Sequence, residues 1–161
     1  MREDIDKFVQ RFSELVEHRL GARLLGVVLF GSAARDQAVP GSDVDVLLVV
    51  DKRDREVEKA LGAALSDLRA TPDSAALAET GIDPVPAVVP VAASRFAAHP
   101  WLLLDVATDG RIYLDRDGFV AGHLASVRAR LVVLGSRRVK SDQGWYWELK
   151  PGMRAGEVIS L

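Results

Sequence analysis

Two aspartates, Asp43 and Asp45, stand at the entrance of an apolar run that continues to Val50. In a strand, residues i and i+2 project to the same side, so the two carboxylates face one way, close together. Like charges so placed beside a core strand are unfavourable unless something positive sits between them. A divalent cation is the simplest candidate, and Mg²⁺ is usually held by one or two carboxylates with water and phosphate oxygens around it. Upstream, the apolar run Leu24–Phe30 stops at Gly31-Ser32, and Arg35 follows in a short polar loop. Glycine after a strand lets the backbone turn tightly and approach a ligand. A short helix beginning at residues 32 to 36 would turn its first N–H groups toward the same corner and favour an anion. Carboxylates for a metal beside a Gly-Ser anion cradle describe a site for a Mg²⁺-nucleoside triphosphate. It is not the Walker type, because no G-x-x-x-x-G-K-[ST] occurs.

Helices and strands must position these groups. Ile5, Phe8, Val9, Phe12, Leu15, Val16 and Leu20 recur at helical spacing, which predicts a helix over 3–20 closed by Gly21. Leu24–Phe30 and Val44–Val50 read as neighbouring buried strands. Residues 52–70 read as a second helix with a charged first half, and Thr71–Gly81 as a loop or an irregular helix turn. Ile82–Val91, I-D-P-V-P-A-V-V-P-V, reads as a third strand; its three prolines place it at a sheet edge or bend it. Downstream, the spacing predicts a short helix at Trp101–Val106, a turn at Asp109-Gly110, a strand at Arg111–Leu114 and a helix at Phe119–Leu134. Asp105, Asp109, Asp115 and Asp117 fit no calcium loop and are read as turn and cap residues.

Gly31-Ser32-x-x-Arg35 followed by Gly41-Ser42-Asp43-x-Asp45 resembles the signature of the nucleotidyltransferase superfamily related to DNA polymerase beta. The pattern is most similar to the small minimal nucleotidyltransferases of bacteria and archaea. The resemblance implies an α/β (α+β) fold: a small mixed sheet flanked by helices, with a C-terminal helix and β-hairpin extension. It implies a nucleotidyltransferase core over 1–93 with residues 94–161 packed on it. It also implies Mg²⁺ on Asp43 and Asp45, phosphates on Gly31, Ser32, Arg35 and Ser42, and a nucleoside triphosphate, ATP, as substrate. The transferred group would be AMP, delivered to an acceptor hydroxyl. Small relatives of this type are often paired with helical HEPN partner proteins in toxin–antitoxin systems, some adenylylating the partner on tyrosine. Family members normally carry a third carboxylate on the third strand, where this chain has Ala87-Val88-Val89. Asp83 is the sole acid of that stretch and is the candidate for the third catalytic role. The alternative is a catalytically degenerate module that binds a nucleotide or a partner without turnover.

The composition bounds these readings. At 161 residues and 48% hydrophobic content, the chain can build one real core. A formal net charge of −2 gives no global attraction to nucleic acid or to an anionic membrane. The absence of cysteine excludes disulfides and thiol chemistry. The start M-R-E-D-I-D-K does not read as a signal peptide, and no apolar run reaches membrane-spanning length, so a cytoplasmic protein is expected. The C-terminal stretch is basic and aromatic: Arg137, Arg138, Lys140, Lys150 and Arg154 surround Trp145, Tyr146 and Trp147. Such a patch can stack bases or single strands. A β-hairpin whose aromatics cover the core explains it better, and nucleic-acid binding is the weakest functional reading.

Overall fold

The computed structural model describes residues 1–142 and 144–161. Helix α1 (Arg2–Leu20) leads through a 3₁₀ turn to strand β1 (Leu24–Phe30), the one-turn helix α2 (Gly31–Ala34) and strand β2 (Asp45–Val50). Helices α3 (Arg55–Arg69) and α4 (Pro72–Glu79) cross over to strand β3 (Ala87–Ala92). Helices α5 (Ala93–Ala97) and α6 (Leu103–Asp109), strand β4 (Arg111–Asp115) and helix α7 (Phe119–Leu134) follow. A hairpin of β5 (Arg137–Ser141) and β6 (Gly144–Glu148) comes last. The main sheet has the order β3-β2-β1-β4. Strand β1 pairs antiparallel with β2 and β4, and β2 pairs parallel with β3. This is the small mixed sheet flanked by helices that the sequence leads one to expect, and β4 brings a strand from beyond residue 93 into it.

Alternation explains why the first two strands read as unbroken apolar runs. Val27, Leu29, Val46, Leu48 and Val50 point into a core shared with α1, α3 and α4, where Phe8, Phe12, Leu61, Leu68 and Leu77 meet them. Val28, Leu47 and Val49 point the other way, toward Phe96, Leu103, Val106, Val120, Leu124 and Val127. Both faces are covered, so neither strand can carry a polar face.

Three elements differ from the sequence reading. Residues 72–79 form a helix rather than a loop, because Thr71 accepts from the Ser74 N–H (3.2 Å) and Pro72 occupies the first turn. Strand β3 starts at Ala87, five residues later than expected, since Pro84 and Pro86 cannot donate to a ladder. It lies at the sheet edge, which tolerates Pro90 within it. The short helix after His99 is displaced to Leu103–Asp109. No helix among the described residues is long and apolar enough to cross a membrane.

Candidate active site

The antiparallel register sets Phe30 opposite Asp45, so the end of β1 and the start of β2 meet at one corner. Gly31 turns the chain there with φ +73°, and its Cα lies directly against the Asp45 carboxylate. A Cβ at position 31 would drive into Asp45 Oδ2. Only glycine permits both the left-handed backbone and that approach. The opening amides of α2 have no acceptor within so short a helix. Ser32 is half-buried in the same turn.

Asp45 is half-buried, and its pKa is raised above the usual carboxylate value. Burial is the main cause, the neighbouring Asp43 charge adds to it, and Arg35 opposes it. Asp43 is exposed. Partial burial beside a like charge is an arrangement that a cation would relieve.

Arg35 follows α2 and is half-buried. Its Nε donates to Gln37 Oε1 (3.1 Å), and its Nη1 to Asp109 Oδ2 (3.4 Å). Ser42 closes the Val39–Ser42 turn: the Val39 N–H donates to Ser42 Oγ at 2.9 Å, and the Ser42 N–H donates to Val39 O at 2.9 Å. The hydroxyl still has a proton to donate.

Asp83 is a different case. It is exposed and lies four residues before Ala87, the position in register with Asp45. Partners in register share a face, so Ala87 and Val89 occupy the places beside Asp45 and Leu47; both are exposed. Among the described residues no three acids or histidines converge as a metal-holding group. The structure brings Asp43 and Asp45 together with Gly31, Ser32 and Arg35, and does not bring Asp83 to them.

Two supports were not legible in the sequence. Arg111, from β4, donates to Ala33 O (2.8 Å) and pairs with Asp6 (3.1 Å) and Asp36 (3.7 Å), bracing α2 from behind. Tyr113 donates to the same Asp6, and burial with that bond raises the phenol pKa. On the other side, Asp109 is gripped by Arg35 and also by Arg138 of the hairpin (2.7 Å). Asp105 and Asp109 are spaced i, i+4, which puts them on one helical face; their joint partner could not be read from that spacing. Asp115 is a cap, as its place suggested, accepting from the N–H groups of Val120 (2.8 Å) and Ala121 (2.9 Å).

The donor set fits one Mg²⁺ with phosphate oxygens and water completing its shell, since two carboxylates on one side suffice for that ion. It does not supply the third protein carboxylate that a two-metal arrangement would use. No curated protein matches the chain. Solved structures of similar fold include a toxin–antitoxin with AMP-PNP, 14% identical, covering 78% of this chain and 92% of that chain with TM-score 0.43. Another is a tri-AMPylated Shewanella oneidensis HEPN toxin in complex with MNT antitoxin, 14% identical, covering 84% and 93% with TM-score 0.39. Likenesses this distant carry no argument about chemistry or partners. The family model described as "Nucleotidyltransferase domain" matches residues 5–113. That span runs from within α1 to within β4 and contains the whole Gly31–Asp45 corner, so the chain belongs to the nucleotidyltransferase domain family.

Proposed function

We propose that the protein transfers a nucleoside monophosphate, AMP from ATP, to an acceptor hydroxyl. The observation that carries this reading is the contact of Gly31 with the half-buried, charge-strained Asp45. A structural turn would need neither the left-handed glycine against a carboxylate nor a second acid beside it. Asp43 and Asp45 are the residues that would hold Mg²⁺, which when bound supplies charge neutralisation at the phosphates. Ser32 and the opening amides of α2 donate to phosphate oxygens, and Arg35 adds a guanidinium that can turn from Asp109 toward the same charge. In the reaction the acceptor oxygen bonds to the α-phosphorus, the bond to the β-phosphate bridging oxygen breaks, and pyrophosphate leaves with that electron pair. The chain's part is positioning and electrostatics. The acceptor proton goes to water or to a group of the acceptor's own protein, because among the described residues no third carboxylate stands with Asp43 and Asp45. A hydroxyl on a partner protein follows the family pattern of a helical HEPN partner.

The same missing carboxylate favours a second reading, a module that binds nucleotide without turning it over. Calorimetry of the protein with ATP and with other nucleoside triphosphates, each with and without Mg²⁺, tests the common ground of both. Binding that requires Mg²⁺ and weakens at least about 100-fold in Asp43→Asn/Asp45→Asn is the expected result. Transfer of label from α-labelled ATP to a partner then separates transferase from binder. No Mg²⁺-dependent binding to any triphosphate would overturn both.

A further inference from the structure

The hairpin β5–β6 is tied to the nucleotide corner through Arg138 and Asp109. Arg138 Nη1 donates to Asp109 Oδ2 at 2.7 Å, the same oxygen that Arg35 Nη1 approaches at 3.4 Å. Arg138 is itself held from three directions. Its Nη2 donates to Asp105 Oδ1 (2.9 Å), its guanidinium lies 5.3 Å from the Trp147 ring centre, and Trp147 Nε1 donates to the same Asp105 oxygen (3.1 Å). Arg138 and Trp147 are cross-strand partners, and Trp147 packs on the second core. The planar fork of arginine gives each carboxylate its own nitrogen, Nη1 to Asp109 and Nη2 to Asp105.

Asp109 needs such a partner. It is the last residue of α6, where the helix end already carries partial negative charge, and Asp105 stands one turn before it. The Asp109 side chain is only 16% exposed and that of Arg138 18%, so water screens their pair weakly. Of the two arginines, Arg138 is the closer and the better anchored. Arg35 is the more exposed, and its remaining bond is to Gln37.

We propose that Arg138 is a positioning residue for the nucleotide loop: by neutralising Asp109 from the hairpin side, it leaves Arg35 free to turn to the triphosphate. The inference rests on the functional reading above. Without Arg138, Asp109 either keeps Arg35 as its sole guanidinium partner or, once Arg35 turns to the triphosphate, sets an uncompensated negative charge beside the phosphates. Both effects weaken nucleotide binding, and both pass through the Asp109 carboxylate.

The test is calorimetry of the full chain with Mg²⁺-ATP. Arg138→Ala is expected to weaken binding about tenfold, and adding Asp109→Asn to it to restore most of that loss. Asp109→Asn alone, which leaves the hairpin cation in place, is expected to bind at least as tightly as wild type. Lys140→Ala, which removes another cation of the same strand, is expected to change affinity less than about twofold. Equal affinity of Arg138→Ala and wild type would overturn the inference. A double variant as weak as Arg138→Ala would overturn it too, since Arg138 would then act without Asp109. If Arg138→Ala fails to fold, weakened binding by Asp109→Asn alone is the overturning result. A wild type that binds no triphosphate removes the functional reading and this inference together, an outcome distinct from all of these.

Discussion

Two aspartates lie at or beyond each end of strand β2, and the two ends treat them in opposite ways. Beyond its exit, Asp51 and Asp54 both face Arg23, which donates to Asp51 Oδ1 (3.0 Å) and Asp54 Oδ2 (2.8 Å). Asp54 also caps α3 by accepting from the Val57 N–H (3.1 Å). The Arg23 hydrogen bonds hold the Asp51 carboxyl below the usual range, and with the Val57 amide they lower that of Asp54 to about 2. At the entrance, Asp45 is raised by burial and by Asp43, and Arg35 offsets this only in part. The carboxylates of Asp43 and Asp45 have no hydrogen-bond or ion-pair partner among the described residues. One end is electrically complete within the chain; the other is complete only with something added. That asymmetry is what locates the site.

The strongest way to break the comparison is to spoil the geometry of the incomplete end while leaving its charges. Gly31→Ala adds a methyl at φ +73° that meets Asp45 Oδ2. Gly41→Ala faces the same backbone difficulty at φ +88°, with nothing near its Cβ. Both should lose about 1–3 kcal/mol of stability in denaturant melts. Gly31→Ala alone should also abolish Mg²⁺-dependent triphosphate binding in calorimetry. Equal binding by the two variants would mean that the Gly31–Asp45 contact is incidental.

The complete end is probed with acid. Asp51 and Asp54 have depressed folded-state pKa values, so their contribution is full above the unfolded value near 3.8 and is lost as pH falls toward about 2. Arg23→Ala forfeits Arg23's share of it at every pH and leaves the backbone N–H bonds to Asp51 and Asp54 in place. The variant should be the less stable at neutral pH, with the gap to wild type closing as pH falls through that window. A gap that persists at the acid end would assign Arg23 a packing role instead.

How much of this was legible depended on how local the determinants are. Strands β1 and β2 and helix α7 were readable because unbroken apolar runs and bounding glycines mark them within a few residues. Helix α4 was legible only as a loop or an irregular helix turn, although Thr71-Pro72 is a start signal, because its short apolar pattern lacks a clear face. The Gly31, Asp43 and Asp45 corner was visible because strand periodicity and one turn place those groups. Its supports were not. Arg35 meets Asp109 across 74 positions and Arg138 meets Asp109 across 29, through packing that no short window encodes. Arg111 reaches Ala33 across 78. The missing carboxylate beside Asp45 could be suspected from Ala87-Val88-Val89, but only the β2–β3 register identifies Ala87 as its neighbour.

The smallest effect sharpens the comparison most, because its sign is opposite. Asp45 has a raised folded-state pKa, so between the unfolded value near 3.8 and that raised value the native state binds more protons than the unfolded chain. Stability contributed by Asp45 therefore falls as pH rises through this interval, and the full penalty is present above it. Asp45→Asn removes the charge and the penalty together. In the absence of metal the variant should melt above wild type at neutral pH, by less than the Arg23→Ala loss, and the advantage should vanish in acid where the carboxyl is neutral in both states. Mg²⁺ should raise the melting temperature of wild type and leave Asp45→Asn unmoved, since a ligand stabilises only the state that binds it. Both ends of β2 would then show a gap that closes in acid, with the variant above wild type at one end and below it at the other. A less stable Asp45→Asn would show that the carboxylate is held for the fold, and the asymmetry between the two ends would lose its functional meaning.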